Sequence, residues 1–390
     1  MRDVVILGVG MTHFGKHPEL SLKDLARAAA WDAIKDAGIS PKDIEYGFAA
    51  NAIGGVVTGQ TMVVGEVVLR EVGITGIPII NVENACASGS VAAMEAYYAI
   101  KDGRCDMAIA LGVEKMYAGD TLLTTTAVAG AGDVELELAN GINFPTHWAL
   151  RAQKRMELIG TTAEEYAMVS VKSHKNAQYN PRAQYQKPLT LEQVLNGRMI
   201  ADPMTQFMCS GIGDGSAAII LCEKEKAKKY TSKMITLKGF GIATGEYDER
   251  RDITFNDIEK RCGEMLYENT GIGPKDIDFA EVHDCFSIAE FMRVEGLGLF
   301  EYGEYGHALR TGECEIGGRL PINPSGGLLS KGHPIAATGV AQMCEAVWQL
   351  RGECGQRQVE GARTALTHCS GGGIAGDGAV SVASMVQKDY

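Results

Sequence analysis

Short apolar runs alternate with longer amphipathic ones along most of the chain. Val4–Val9 is almost wholly apolar and predicts a buried first strand. Ser21-Leu22-Lys23-Asp24 has the spacing of a capping box, opening a helix that ends at Gly38. Ile79–Val82, entered through Pro78, and Asp106–Val113 are short and largely apolar, the pattern of strands buried on both faces. Between them Gly89–Lys101 has helical spacing and stops at Gly103. Phe279–Val282 and Thr364–Thr367 predict two later strands. Strands alternating with helices predict an α/β fold, a parallel sheet covered by helices. The first run is too short for a membrane span and lacks a small-residue cleavage site, and no later run approaches ~18 apolar residues. A soluble protein without membrane association is expected.

The pattern also repeats. Gly38-Ile39-Ser40-Pro41-Lys42-Asp43-Ile44 returns as Gly271-Ile272-Gly273-Pro274-Lys275-Asp276-Ile277, with only Ser40 against Gly273 differing. Gly213-Asp214-Gly215-Ser216-Ala217 returns as Gly376-Asp377-Gly378-Ala379-Val380. The second offset is about 70 residues shorter than the first (274 − 41 against 376 − 213), so the first half carries an insertion. Alternation breaks down near 119–198, where Asn, Gln, Tyr and Thr rise. The expected organisation is a first half of 1–118 plus 199–233, an inserted loop domain of 119–198, and a second half of 234–390. Two α/β units of this kind can pack as five layers, αβαβα.

Composition narrows the function. The formal charge is −12, which excludes a general nucleic-acid or membrane-surface binder. Within 151–200, however, eight Lys/Arg face four Glu, and a local +4 patch would attract a small polyanion such as a phosphate-bearing ligand. Ten cysteines without a single C-x-x-C fit neither a zinc ribbon nor a disulfide scaffold, and ten free thiols suit a reducing cytoplasm.

Cys86 falls between a strand and a helix start, among Ala85, Ala87, Ser88 and Gly89. The positive end of a helix dipole there should lower its pKa and favour the nucleophilic thiolate. His333, in Gly332-His333-Pro334, holds roughly the place in the second half that Cys86 holds in the first. Related halves would bring the two loops together, so that His333 could take the Cys86 proton. His283-Asp284-Cys285-Phe286 and Cys369-Ser370-Gly371 follow predicted strands at their C-terminal ends, where open α/β sheets place sites. Backbone N–H groups in the glycine-rich turn around Gly371 could stabilise an oxyanion. Cys105, Cys222 and Cys344 read as inert core, and the remaining cysteines carry no motif. A zinc site built from Cys86, His283, His333 and Cys369 has no recognisable ligand spacing, and no metal is expected.

Cys86-Ala87-Ser88, His283-Asp284-Cys285-Phe286, Gly332-His333-Pro334 and Cys369-Ser370-Gly371, in this order on a duplicated chain, resemble the thiolase superfamily over nearly its whole length. The His-Asp-Cys-Phe form, in place of the usual Asn-Glu-Ala-Phe, is similar to the sterol-carrier-protein-type branch and to archaeal thiolases. The resemblance implies an acyltransferase on the duplicated five-layer thiolase fold, joining two acetyl-CoA reversibly into acetoacetyl-CoA and CoA, as at the start of the mevalonate route to isoprenoids. It implies Cys86 as acyl carrier, His333 as its base, Cys369 as acid/base at the α-carbon, and His283 in one oxyanion hole. Backbone N–H groups of Cys86 and Gly371 would form the other hole. Cys285 would share the proton transfer or line the pocket. Coenzyme A is expected on the 119–198 insertion as part of the substrates, with no separate cofactor. A homodimer or homotetramer is implied, and a complex with 3-hydroxy-3-methylglutaryl-CoA synthase through a small OB-fold protein is conceivable. The alternatives are a degradative 3-ketoacyl-CoA thiolase for longer chains and a non-catalytic acyl-CoA-binding subunit.

Overall fold

The computed structural model describes residues 2–248, 252–255 and 257–390. Its strands in chain order are β1 (Val4–Met11), β2 (Tyr46–Ala50), β3 (Ile79–Val82), β4 (Met107–Glu114), β5 (Met199–Ala201), β6 (Met204–Thr205), β7 (Gly215–Glu223), β8 (Ile235–Thr244), β9 (Phe279–Glu281), β10 (Thr364–Ile374) and β11 (Asp377–Lys388). Apart from the small β5-β6 pair, they are ordered β3-β2-β4-β7-β1-β8-β11-β10-β9. The centre is a short seam, where Val4 pairs with Leu237 and Val5 with Thr236. Outward from it both halves repeat one order. β1-β7-β4-β2-β3 lies on one side and β8-β11-β10-β9 on the other, with Ile322 bridging Ala280 where a fifth strand would lie.

The sequence repeats occupy matching places. Pro41–Asp43 and Pro274–Asp276 are both 3-10 turns, and Asp43 and Asp276 accept the N–H groups of Ser40 (2.8 Å) and Gly273 (3.0 Å). The two Gly-Asp-Gly segments open β7 and β11, the last strand of each half's motif. Ser21 caps the helix Leu22–Ala37 reciprocally with Asp24, and Gly38 closes it at φ 67°, as its spacing predicts.

Alternate residues of each strand face different layers. Ile6, Ala110, Ile219, Leu237 and Val382 face inward onto the helices Ser88–Lys101 and Thr338–Arg351, which lie between the half-sheets. Val5, Ile109 and Ile220 face outward onto the helix Leu22–Ala37. Leu366, Ala383 and Met385 face outward onto the helices Asp257–Thr270 and Ser287–Gly296. This is the five-layer αβαβα arrangement. The middle layer is packed backbone to backbone. A Cβ on Gly89 or Gly112 would meet the Ala336 carbonyl oxygen at 2.5 or 2.2 Å, which only glycine permits.

Two expectations are corrected. The sheet is mixed rather than parallel: β2 runs parallel to β3 and β4, and β9 to β10, but β7 and β11 run antiparallel to both neighbours. A strand buried on both faces gives the same apolar run in either direction, so direction follows from the connection. β10 and β11 are joined by the tight turn at Ala375-Gly376, which reverses the chain. Ile79–Val82 is not buried on both faces either. It is the edge strand, and Ile80 is 43% exposed.

The excursion from β4 to β7 runs from Lys115 to Asp214 and carries the helices Phe144–Ile159 and Ala163–Ala177 and the β5-β6 hairpin. It packs on the second half through Trp148 and Tyr166 against Phe286 and Phe291. The +4 count of its sequence does not make a surface patch. Arg155 pairs with buried Glu295 at 2.6 Å and Lys172 with buried Glu290 at 2.9 Å, while Arg151 is itself buried. Their partners come from the second half, which a window of sequence cannot count. Among the described residues no helix is long and apolar enough to cross a membrane.

Candidate active site

Cys86 sits in the 3-10 turn Ala85–Ala87, at the mouth of the helix Ser88–Lys101. The turn is strained, with Ala85 at φ 47°. Ser88 holds it: its Oγ accepts the Asn84 N–H (2.8 Å) and donates to the Ala85 carbonyl (2.6 Å). The expectation of a lowered Cys86 pKa is overturned. Burial pushes the thiol well above its ordinary value, helped by Cys369, Cys285 and Glu114, while a hydrogen bond from the Gly372 N–H pulls weakly the other way. Desolvation of a buried thiolate outweighs the end of a helix dipole here. At rest Cys86 is therefore a thiol, and it would need a base to act as a nucleophile.

A candidate base stands beside it. His333 is buried, and burial together with the nearby Lys331 charge holds its pKa down to about 3, so the ring is neutral. Its Nδ1 lies 2.7 Å from Thr338 Oγ1, and Thr338 donates its own proton to the Pro334 carbonyl at 2.9 Å. The hydroxyl oxygen must then accept from Nδ1–H, which leaves Nε2 bare. Cys86 Sγ and a ring nitrogen each of His283 and His333 lie within 4.8 Å of one another. The donor set also suits a soft divalent ion, although its parts are accounted for without one.

His283 and His333 meet edge to face, with ring centroids 5.0 Å apart. His283 Nδ1 lies 3.2 Å from Cys369 Sγ, and the Cys369 thiol reaches the Cys86 carbonyl at 3.0 Å. Burial and the neighbouring His333 hold His283 neutral, and burial raises the Cys369 thiol. Cys369 is fully buried behind the cavity wall, whereas Cys285 lines the cavity, its thiol pushed up to about 12 by burial. All five predicted side chains thus converge, Cys86 from the first half and the other four from the second.

Gly371 is placed differently from expectation. β10 does not end at Thr367 but continues through Ile374, so Cys369 and Gly371 pair with Val382 and Val380 inside the sheet rather than in a glycine-rich turn. Glycine is required because a Cβ at 371 would stand 2.2 Å from the Asn84 carbonyl, in the turn that carries Cys86. The N–H that reaches Cys86 belongs to Gly372, at φ 65°.

The sequence did not point to several other residues. Glu114 ends β4 fully buried. It accepts the N–H groups of Gly54 (2.6 Å), Ala52 (3.1 Å) and Ala336 (3.1 Å), binding the first half to the segment after His333, and burial raises it to about 7. Its signal was a lone acid closing an apolar strand. Thr338 and Cys209 had no signal beyond position, the latter now in the cavity wall. Arg293, the one base in the apolar helix Ser287–Gly296, also lines the cavity.

The cavity has a volume of about 960 Å³. The excursion supplies much of its wall, including His147, Trp148, Tyr185 and Arg198, and Cys86, His283, Cys285 and His333 line it too. A neutral imidazole beside a thiol, a second thiol hydrogen-bonded to a second imidazole, and a cavity open to both halves of the site suit acyl transfer.

The comparisons with known proteins agree. The description "Thiolase, N-terminal domain" matches residues 4–225, and "Thiolase C-terminal domain-like" matches 239–384. An acetyl-CoA acetyltransferase of Methanothermobacter thermautotrophicus is 43% identical over 98% of this chain and all of its own. A benzoylsuccinyl-CoA thiolase subunit, BbsB, of Thauera aromatica is 40% identical over 95% of each chain. Among solved structures, an "Ltp2-ChsH2(DUF35) aldolase" superposes with a TM-score of 0.82 and 26% identity, covering 100% of this chain and 98% of its own.

Proposed function

The chain belongs to the thiolase family, and from that premise we propose that it is an acetyl-CoA acetyltransferase that joins two acetyl-CoA into acetoacetyl-CoA and CoA, reversibly. The carrying observation is the meeting of Cys86 and neutral His333, from opposite halves, in one cavity. His333 Nε2 takes the Cys86 proton as the sulfur attacks the thioester carbonyl, and CoA leaves with a proton. Cys369 passes its own proton to His283 Nδ1, 3.2 Å away, and removes one from the α-carbon of the second acetyl-CoA; the carbanion attacks the acyl-enzyme, and the released Cys86 regains a proton from His283. The His283 ring stabilises one oxyanion, joined by Nε2–H of His333 while it holds the Cys86 proton, and N–H groups at Cys86 and Gly371–Gly372 the other. Cys285, in the wall where Cys369 is not, supports a second assignment of the α-proton transfer.

Coenzyme A runs along the 119–198 segment, as the wall residues His147, Tyr185 and Arg198 support. A role at the entry to the mevalonate route in the cytoplasm rests on the likeness to the archaeal acetyltransferase. The exposed edge strand β3 supports a homo-oligomer. The likeness to the solved Ltp2-ChsH2(DUF35) aldolase supports a partner chain, for which 3-hydroxy-3-methylglutaryl-CoA synthase with an OB-fold protein is the candidate.

The deciding experiment is intact mass after mixing with acetyl-CoA. One acetyl group should add to the unmodified protein and none to Cys86→Ala. An equal adduct on both would remove Cys86 as acyl carrier. Chain-length profiling separates the longer-chain reading: faster cleavage of a long 3-ketoacyl-CoA than of acetoacetyl-CoA would replace the short-chain assignment.

A further inference from the structure

An acetyl group needs no charged residue in its pocket, yet this cavity has one. Arg293 stands on the helix Ser287–Gly296, which begins directly after His283-Asp284-Cys285-Phe286. It is seven residues beyond Phe286, close to two turns, so the two side chains share a face. Phe286 stacks on Trp148 with ring centroids 6.0 Å apart, and the Arg293 guanidinium lies 5.2 Å from the Trp148 ring. Arg151 adds a second guanidinium 5.3 Å from the same ring. All four residues line the cavity that holds Cys86 and Cys285. The Arg293 charge is also felt at Cys285, Cys369 and His283, which places it at the reacting end rather than at the mouth.

The hydrogen bonding of Arg293 is incomplete. The residue is 4% exposed, Nη1 donates to Glu259 Oε1 at 2.6 Å, and the buried Nε has no acceptor. Glu259 does not answer the whole fork: its Oε1 also takes the Ser370 hydroxyl at 3.3 Å, and its Oε2 is buried without a hydrogen-bond partner. Asp377, a carboxylate in the wall, accepts backbone N–H groups of Gly378 (2.8 Å) and Tyr247 (3.4 Å). A buried guanidinium N–H without an acceptor is costly unless a ligand supplies one, and the planar fork suits a carboxylate best.

We propose that the cavity accepts 3-ketoacyl-CoA thioesters whose acyl chain ends in a carboxylate, with Arg293 binding that carboxylate over the Trp148–Phe286 floor. The inference rests on the thiolase reading above and names its second acyl partner. Acetyl-CoA remains the other. In thiolysis, Cys86 sulfur bonds to C3 and the C2–C3 bond breaks. The electron pair goes to C2, which takes a proton and leaves as acetyl-CoA. The thiol of free CoA then displaces Cys86 from the shortened, carboxylate-bearing acyl group.

The test compares thiolysis of 3-ketoadipyl-CoA with that of 3-ketohexanoyl-CoA, two probes of equal length ending in carboxylate or methyl. The unmodified protein should favour the carboxylate probe in kcat/KM by about tenfold or more, because a site built to hydrogen-bond a group discriminates against its absence. Arg293→Met should lower that ratio at least about tenfold, and Arg293→Lys, which keeps the charge without the fork, should fall between. Equal rates for the two probes in the unmodified protein overturn the proposal whether or not the variants fold. So does an unchanged ratio in folded Arg293→Met, which would leave Arg293 as a structural partner of Glu259. Acyl adducts on Cys86 from both probes with no preference would end this inference and leave the thiolase reading intact. Absence of any adduct, including from acetoacetyl-CoA, would end both.

Discussion

Thr338→Val tests whether one hydroxyl sets the identity of the base. In the structure Thr338 Oγ1 stands 2.7 Å from His333 Nδ1 and gives its own proton to Pro334, so it can only accept from the ring. Valine keeps the shape and deletes the acceptor. A proton left on Nδ1 would then be buried without a partner, at a cost of about 1–3 kcal/mol. The ring escapes that cost by moving the proton to Nε2, the atom that must receive the Cys86 proton. If the whole cost is expressed as loss of the competent tautomer, the rate falls about 5- to 150-fold at 1.36 kcal/mol per factor of ten. The assay is the second-order rate of Cys86 alkylation by iodoacetamide at pH 7, read by intact mass, alongside kcat for acetoacetyl-CoA thiolysis. Thr338→Ser restores the hydroxyl and should recover most of both. A folded Thr338→Val that alkylates and turns over at unmodified rates would refute the tautomer argument. Thr338→Ser as slow as Thr338→Val would shift the effect to packing.

Other expectations follow from the same geometry. Cys369→Ala should still acetylate at Cys86 but fail to condense, and the mass and condensation assays together read this; loss of acetylation would make Cys369 structural. Cys285→Ala should condense at a reduced rate if this cavity-lining thiol shares the proton transfer, and at an unchanged rate if it only lines the wall. Because burial raises the Cys86 thiol and His333 is already neutral, alkylation of Cys86 should climb with pH through at least pH 9. A plateau below pH 7 would mean a resting thiolate–imidazolium pair instead. Gly112→Ala puts a methyl 2.2 Å from the Ala336 carbonyl and should destabilise by about 1–3 kcal/mol in thermal unfolding, with loss of activity as the His333 segment is pushed away.

Much of this was legible in sequence because it is local. The Ser21 cap, the Gly38 stop and the two Pro-Lys-Asp turns are set by residues within a few positions of each other. The duplication was legible because the same turn chemistry recurs, and it correctly predicted that loops from two halves would meet. What escaped depends on distant partners. The direction of β7 looks the same in an apolar run either way, and the exposure of β3 depends on its place in the sheet order. The charges of Arg155 and Lys172 vanish into Glu295 and Glu290, which lie more than a hundred residues along the chain. The Cys86 shift follows from how deeply the second half buries it, which no motif around Cys86 records. Glu114 and Arg293 mattered only once their surroundings were known.

The division of the site between halves has a consequence for the order of synthesis. Cys369 lies 283 residues after Cys86, and His333 is almost as late. At ~5–20 residues per second, the Cys86 thiol leaves the ribosome roughly 15 to 60 seconds before Cys369. During that interval it belongs to an unfinished chain, first without His283 and Cys285, then without His333, and to the end without Cys369. An acyl group captured then would meet water rather than a second thioester. The last strands made, β10 and β11, are those that bring Cys369 into place, so Cys86, His283, His333 and Cys369 stand together only on a finished polypeptide.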